Sequence, residues 1–470
     1  MTVGATDSSG NVQGFSNKGP AIWAVAPGDA TSYTAPLLSG TVALMLEANP
    51  GLGYRDVHAI VALTADYADG GGPWKSNAAA GFANGGGLRT STSAGFGMVD
   101  ATAAVRLAET WSTPPRTEAN MLSATVKGTG FSVPDLGTAS GTAAIGRSML
   151  VERAVVTLDL DHTKISDLRI SLVSPSGTES FLLDRIGAGN YAGDGTFDFT
   201  LTSNQSFWEQ GQGTWTLKVQ DAVSGRTAQV NGWRLDLFGA PAGADDLYVY
   251  TDRFAALAGS EPGRRTLADT DGGTDGLNAA AATGASVIDL RPGANSTVAG
   301  MTLTIAAGTV IENAWGGAGG DVIVGNGAAN RLWGGAGNDD LRGANGADLM
   351  EGGAGNDTLN DDGGSDTLEG GAGDDLLIGG ATTADTAVFD GPAARFAIQA
   401  RANGVVVVRD TTGELGADRL KSIELLAFSD GTVAAPGAAV SAVEEPPEAV
   451  AAMETGLLLG SLGGDWTLPA

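Results

Sequence analysis

Apolar and polar positions follow four successive patterns along the 470 residues. Over 33–46 no charged residue occurs, and Glu47 is the first to break the run. A helix that is apolar all round belongs in an interior, so this stretch predicts a buried central helix, with Pro36 tolerated in its first turn. YRDVHAIVAL (54–63) predicts a second helix behind it. Next, WSTPPRTEAN (111–120) reads as a linker, because its Pro pair cannot continue a helix. Over 121–240 the period becomes two. LRISLVSPSGTESFLL (168–183) is two alternating runs about a turn, with Leu168, Ile170 and Leu172 on one face. Trp215, Leu217 and Val219, then Trp233, Leu235 and Leu237, repeat the plan. These positions predict an all-β sandwich core.

The third pattern has a period of nine. From Gly316 the units read GGAGGDVIV, GNGAANRLW, GGAGNDDLR, GANGADLME, GGAGNDTLN, DDGGSDTLE and GGAGDDLLI. An acidic position recurs as Asp321, Asp339, Asp348, Asp357, Asp366 and Asp375, with Asn330 in the one gap. Two places on, an apolar residue recurs as Ile323, Leu332, Leu341, Met350, Leu359, Leu368 and Leu377. Gly-rich turns of six residues joined by strands of three explain that spacing, since Gly takes backbone conformations closed to other residues. One unit is then half a coil, and alternate turns stack on the same edge. One edge collects the intact turns of Asp321, Asp339, Asp357 and Asp375. The other collects Asn330, Asp348 and Asp366 in degraded turns, which predicts weaker ion binding there. The remaining pattern, after Gly431, is an Ala-, Pro- and Glu-rich tail predicted to pack poorly.

Charge changes the picture most in the repeats. The chain carries 26 Lys plus Arg against 54 Asp plus Glu, a formal charge of -28. That balance excludes a nucleic-acid partner, because such affinity rests on cations neutralising phosphates, and it excludes an anionic membrane surface. Residues 316–380 alone hold 12 acidic side chains and two Arg, a net of -10. A narrow apolar ridge cannot offset that repulsion together with backbone ordering, so a divalent cation is implied. Calcium takes six to eight oxygens, more than one turn offers, so two stacked turns must share each ion. Cys is absent, which rules out disulfides, thiolate zinc sites and a Cys nucleophile. No run approaches the roughly 20 apolar residues of a membrane helix. MTVGATDSSGN has neither the basic region nor the apolar core of an N-terminal secretory signal.

Three resemblances follow from the quoted words. The nonapeptide resembles G-G-x-G-x-D-x-U-x, the calcium-binding RTX repeat of secreted toxins and proteases, which implies a parallel β-roll. FSNKGPAIWAVAPGD, ATSYTAPLLSGTVALMLEANPGLGYRDV and GFGMVDATAAVRLAE resemble the C-terminal part of a subtilisin-like serine protease domain of the kexin-like branch. That family's Gly-Thr-Ser-x-x-Ala-Pro motif falls on 30–36, with Ala30 in place of Gly, and the resemblance makes Ser32 the nucleophile. The residue-level alternative is that Ser32 caps the helix. DHTKISDLRISLVSPSGT and FWEQGQGTWTLKVQDAVSGRTAQVNGWRLDLFG look like the jelly-roll P domain that follows such catalytic domains.

The segments 245–281 and 287–321 resemble the C-terminal domain of serralysin-type proteases, which implies a further calcium site near Asp269, Asp271 and Asp275. The fold expected is therefore multidomain: an α/β subtilisin-like remnant (1–110), an all-β jelly-roll P domain (121–240), and a parallel β-roll of nonapeptide repeats within a serralysin-type domain (245–432). The tail (433–470) is the candidate secretion signal. Proteins of this kind leave Gram-negative bacteria through a one-step export channel, so an extracellular location is implied.

The family's Asp, His and oxyanion-hole Asn all precede the stretch matched here, and neither His58 nor His162 lies in a Gly-His-Gly setting. Asp161 and His162 are expected in a solvated turn. The chain as given is thus expected to be a catalytically incomplete member of the kexin-like endopeptidases, acting on peptide or protein substrates only if completed upstream. The competing expectation is a non-catalytic extracellular calcium-binding module.

Overall fold

The computed structural model describes residues 1–67, 72–79, 81–111, 114–162, 164–185, 196–380, 384–401 and 403–436. The chain divides into two compact units, one of Met1–Glu47 with Gly51–Gly243, the other of Ala48–Pro50 with Ala244 onward.

In the first unit, Val3–Thr6 pairs in parallel with Ala24–Pro27. Three helices accompany this small sheet: α1 (Thr31–Ala48), α2 (Tyr54–Thr64) and α3 (Ala101–Glu109). Asp100 starts α3 by accepting the Ala103 amide at 3.0 Å, which satisfies one of the orphan donors of a helix start. Helix α1 departs from the expected buried helix. Only Thr34, Leu38, Thr41 and Met45 are buried, a single stripe at helical spacing. Tyr33, Leu37 and Leu44 are 66%, 52% and 50% exposed.

Two four-stranded antiparallel sheets complete the unit. One orders Thr196–Ser203, Leu150–Asp161, Ala228–Ala240 and Leu122–Val133; the other orders Thr138–Ile145, Gly213–Asp221, Leu168–Val173 and Glu179–Asp184. The period-two residues face one shared core: Ile170, Trp215, Leu217, Val219, Leu235 and Leu237 are all fully buried. The stretch expected to be a free linker is instead tied down. Trp111 is buried, Glu118–Asn120 forms a turn of 3-10 helix, and the Arg116 amide donates to Asp56 at 2.8 Å. Arg55 then fastens α2 to the sandwich. Its guanidinium donates to both Glu152 oxygens at 2.6 and 2.8 Å, to Gly239 O at 2.8 Å, and to Thr117 O and Asn120 Oδ1 at 3.0 Å each. All five N–H donors of the buried guanidinium are used.

The second unit stacks two sheets built mainly of parallel strands. Asn313–Trp315, Arg331–Ala336, Leu349–Ala354 and Thr367–Ala372 run side by side in one. Val322–Val324, Asp340–Arg342, Thr358–Asn360 and Leu376–Ile378 do so in the other. Register is fixed by the repeat: Leu332 pairs with Met350 and Met350 with Leu368, and Ile323, Leu341, Leu359 and Leu377 form the matching column. All seven are fully buried. In the first sheet the strands reach six residues, twice the length expected, because the Gly-Gly-Ala after the apolar residue keeps pairing, as Gly335 does with Gly353. Antiparallel pairs lie towards both ends of the second sheet and at one end of the first. Among the described residues no helix is long and apolar enough to cross a membrane.

Candidate calcium ladder and the Ser32 helix

Each repeat turn lies over the turn two units away, and one hydrogen bond per step records the stacking. Asp339 Oδ1 accepts the Asp321 amide at 2.7 Å, Asp357 Oδ1 the Asp339 amide at 2.8 Å, and Asp375 Oδ1 the Asp357 amide at 2.8 Å. On the opposite edge, Asp348 Oδ1 accepts from Asn330 at 2.8 Å and Asp366 Oδ1 from Asp348 at 2.6 Å. Every one of these bonds spans 18 residues. The structure thus places Asp321, Asp339, Asp357 and Asp375 on one edge and Asn330, Asp348 and Asp366 on the other.

The second oxygen of each carboxylate is treated differently. Oδ2 of Asp339, Asp348, Asp357, Asp366 and Asp375 is buried and has no hydrogen-bond partner. Leaving an anionic oxygen dry and unpartnered is costly, and buried charges are ordinarily paired or bound to metal. Burial accordingly pushes the carboxyls upward, Asp339 to about 6 and Asp348 and Asp357 to about 7, with Asp321, Asp366 and Asp375 also raised. Repeat position one is Gly in six of the seven units, and a Cβ there would strike the acceptor oxygen of its own turn, as at Gly334 against Asp339 Oδ2 and Gly352 against Asp357 Oδ2. Bare backbone against a dry carboxylate oxygen, repeated on both edges, fits a hard cation that takes oxygen ligands.

Two groups extend beyond the periodic positions. Asp246, Asp269 and Asp275 bring one carboxylate oxygen each within 4.8 Å of one another. Asp246 N donates to Asp275 Oδ1 at 2.7 Å, and Tyr248 Oη donates to Asp246 and Asp269 at 3.2 and 3.3 Å. Burial first, then neighbouring carboxylates, raise Asp246 to about 6 and Asp275 to about 7. Asp271, expected in this group, is exposed and outside it; Asp246 takes the third place. Asp361, Asp366 and Asp385 form the second group, all buried. The ladders also end on residues without the nine-residue period. Asp418 Oδ1 accepts the Asp375 amide at 3.0 Å, and Asp385 Oδ1 accepts the Asp366 amide at 3.2 Å. Asp385 lies one residue out of phase and Asp418 lies 43 residues from its partner, so only Asp385 left a trace in the sequence.

Ser32 sits in the first turn of α1, one residue inside a helix that begins at Thr31, and it is exposed. Its hydroxyl makes no hydrogen bond among the described residues, so it is not a side-chain cap. His58 lies on α2 with its ring 4.8 Å from that of Trp23 and 5.8 Å from that of Tyr54, and burial lowers it to about 4. His162, expected in a solvated turn, is buried inside the sandwich instead. Its Nε2 lies 3.8 Å from Asp221 Oδ2, and its Nδ1 accepts the Lys164 amide at 3.0 Å. The alternating strand before it ends by pointing the ring inward.

The ladder and the sandwich define a class before any relative is considered: a nonapeptide-repeat protein of stacked parallel strands with an antiparallel β-sandwich module. The model for the RTX calcium-binding nonapeptide repeat (4 copies) matches residues 315–350 and 351–382, and the proprotein convertase P-domain model matches residues 151–237. These repeats bind calcium. The chain is similar to the Aeromonas extracellular serine protease of Aeromonas sobria, 31% identical over 238 residues, which cover 43% of this chain and 37% of the relative. It is similar too to proprotein convertase subtilisin/kexin type 6 of Rattus norvegicus, 32% identical over 223 residues covering 44% of this chain and 23% of that one. The crystal structure of the Aeromonas sobria serine protease in complex with its chaperone aligns at a TM-score of 0.44 and 22% identity, over 51% of this chain and 57% of that one. The chain thus carries a P domain and RTX repeats and is homologous to subtilisin/kexin-type serine proteases, and its match covers 37% and 23% of the lengths of these two relatives.

Proposed function

We propose that this chain is a secreted, calcium-binding member of the subtilisin/kexin-like serine endopeptidases. In this reading, residues 121–240 are the jelly-roll P domain, residues 245–432 are a serralysin-type domain whose repeats form a parallel β-roll, and 1–110 is the end of the catalytic domain. The observation that carries the reading is the division of labour within the carboxylates of Asp339, Asp348, Asp357, Asp366 and Asp375, one oxygen bonded to the stacked turn and the other dry. Bound calcium would supply the charge neutralisation and cross-linking that hold stacked turns together. Asp339, Asp357 and Asp375 on one edge, and Asp348 and Asp366 on the other, would hold it. Extracellular modules bind calcium with Kd on the order of 10⁻⁴–10⁻³ M, far above cytosolic levels, so the roll would fold after export. The export signal proposed for the tail lies outside the described residues.

Peptide hydrolysis would pass through Ser32. Its hydroxyl would attack the scissile carbonyl carbon while a base takes its proton; the peptide C–N bond would then break, the amine leaving with that proton and the acyl group staying on Ser32 until water hydrolyses it. Neither histidine of this chain serves as that base: His58 is packed on aromatic rings and His162 lies within the sandwich core. In this reading the base is the family's His, which has no counterpart among the described residues. The reading of the chain as a non-catalytic extracellular calcium-binding module is favoured by the same unassisted Ser32. Treatment of the purified chain with a fluorophosphonate separates the two. No labelling is expected of the chain by itself, and labelling abolished in Ser32→Ala would show that it is catalytically competent unaided.

A further inference from the structure

Six of the seven repeat turns open on Gly, and the seventh, DDGGSD, opens on Asp361. In the other turns the space beside the ligand carboxylate is left by a missing Cβ, as at Gly343 against Asp348 Oδ2 and Gly370 against Asp375 Oδ2. At 361 a third carboxylate fills that space. Asp361 is completely buried, and neither of its oxygens has a hydrogen-bond partner. One oxygen each from Asp361, Asp366 and Asp385 lie within 4.8 Å of one another. Among the described residues, neither Asp361 nor Asp366 takes part in an ion pair closer than 4.0 Å. Asp366 keeps its Oδ1 on the Asp348 amide and turns Oδ2 into the gap. The backbone of Asp361 is pinned, with its amide donating to Ile378 O at 3.1 Å and its carbonyl accepting the Gly363 amide at 2.8 Å. Gly379 and Gly380 wall the space with bare backbone, the absent Cβ of Gly380 lying 3.4 Å from Asp361 Oδ1.

We propose that Asp361, Asp366 and Asp385 form a three-carboxylate calcium site that binds more tightly than the sites the periodic aspartates make. The inference rests on the repeats binding calcium and adds a ligand that the nonapeptide pattern does not contain. Ligand charge count tunes calcium affinity. A periodic position brings one carboxylate from each of two stacked turns, whereas here three converge on one point. The cluster also stands where the repeat column passes to the strand Thr386–Val388, so filling it fixes the last turn of this edge. On this account the degraded turn, whose lost glycines suggested the weaker edge, contains the stronger site.

Calorimetric titration of the full chain with calcium, backed by competition against a chromophoric chelator, tests this. Asp361→Asn, and Asp361→Gly, which restores the repeat residue, should weaken the tightest binding step at least tenfold or remove one ion from the stoichiometry. Asp362→Asn, which takes the same charge from the exposed neighbour, should leave the isotherm as it is. Far-UV circular dichroism at saturating calcium establishes that each variant is folded. Asp361→Asn and Asp361→Gly isotherms superimposable on that of the unaltered chain would overturn the proposal, even if calcium-free stability rises. A chain that binds no calcium at all would overturn the calcium reading of the repeats, a distinct result.

Discussion

A buried aspartate with one oxygen bonded and one dry is the residue on which the second unit turns. Carboxyls such as Asp339, Asp348 and Asp357, raised by burial to about 6, 7 and 7, bind protons in the folded chain that the unfolded chain has already released. Without calcium, stability is therefore present at pH 4 and lost as pH climbs through 6 to 7. The calcium-free chain should gain β-structure on acidification from pH 7.5 to 5, followed by circular dichroism. The calcium-loaded chain should show the opposite trend, because protons compete for the ligand oxygens. A second residue-scale prediction concerns Arg55. Arg55→Ala strands Glu152 in a buried setting and should cost the first unit about 3–5 kcal/mol, read from its urea midpoint.

At the scale of the element, the repeat turn works because its glycines leave backbone against backbone. Gly355 has φ of +141°, and a Cβ on it would strike Gly337 O in the stacked turn. Gly355→Ala should lower the melting temperature of the calcium-loaded roll, by a loss of about 1–3 kcal/mol, whereas Ala354→Ser in the same turn, on an exposed side chain, should be close to neutral. Helix α1 teaches the complementary lesson. Its composition is that of an interior helix, and its helical form follows from local sequence, but burial is a property of neighbours. Thr34, Leu38, Thr41 and Met45 are covered and Leu37 and Leu44 are not, a distinction invisible in an uncharged run.

For the whole molecule, a formal charge of -28 is tolerable where acidic groups are solvated and is not where they stack. Those of the second unit converge in two ladders, while the core of the first unit is made by side chains such as Ile170, Trp215, Leu217 and Leu235. Differential scanning calorimetry should therefore show two transitions in millimolar calcium. Chelator should lower or abolish only one of them, leaving the transition that reports on the sandwich in place. Loss of both together would mean that calcium also supports the first unit.

Sequence alone determined whatever repeats or alternates: the column of Ile323 through Leu377, the periodic aspartates on two edges, and the inward faces of the sandwich strands. Each of these is set by local backbone geometry, so a period of two or nine suffices to read it. Tertiary structure alone decided which residues from distant segments meet. It brought Asp418 beneath Asp375, substituted Asp246 for Asp271, put Asp361 against Asp366 and Asp385, turned His162 inward to Asp221, and left one side of α1 bare. Those outcomes depend on chain closure over tens of residues, and on which surface happens to face which, and neither leaves a periodic mark in the order of amino acids.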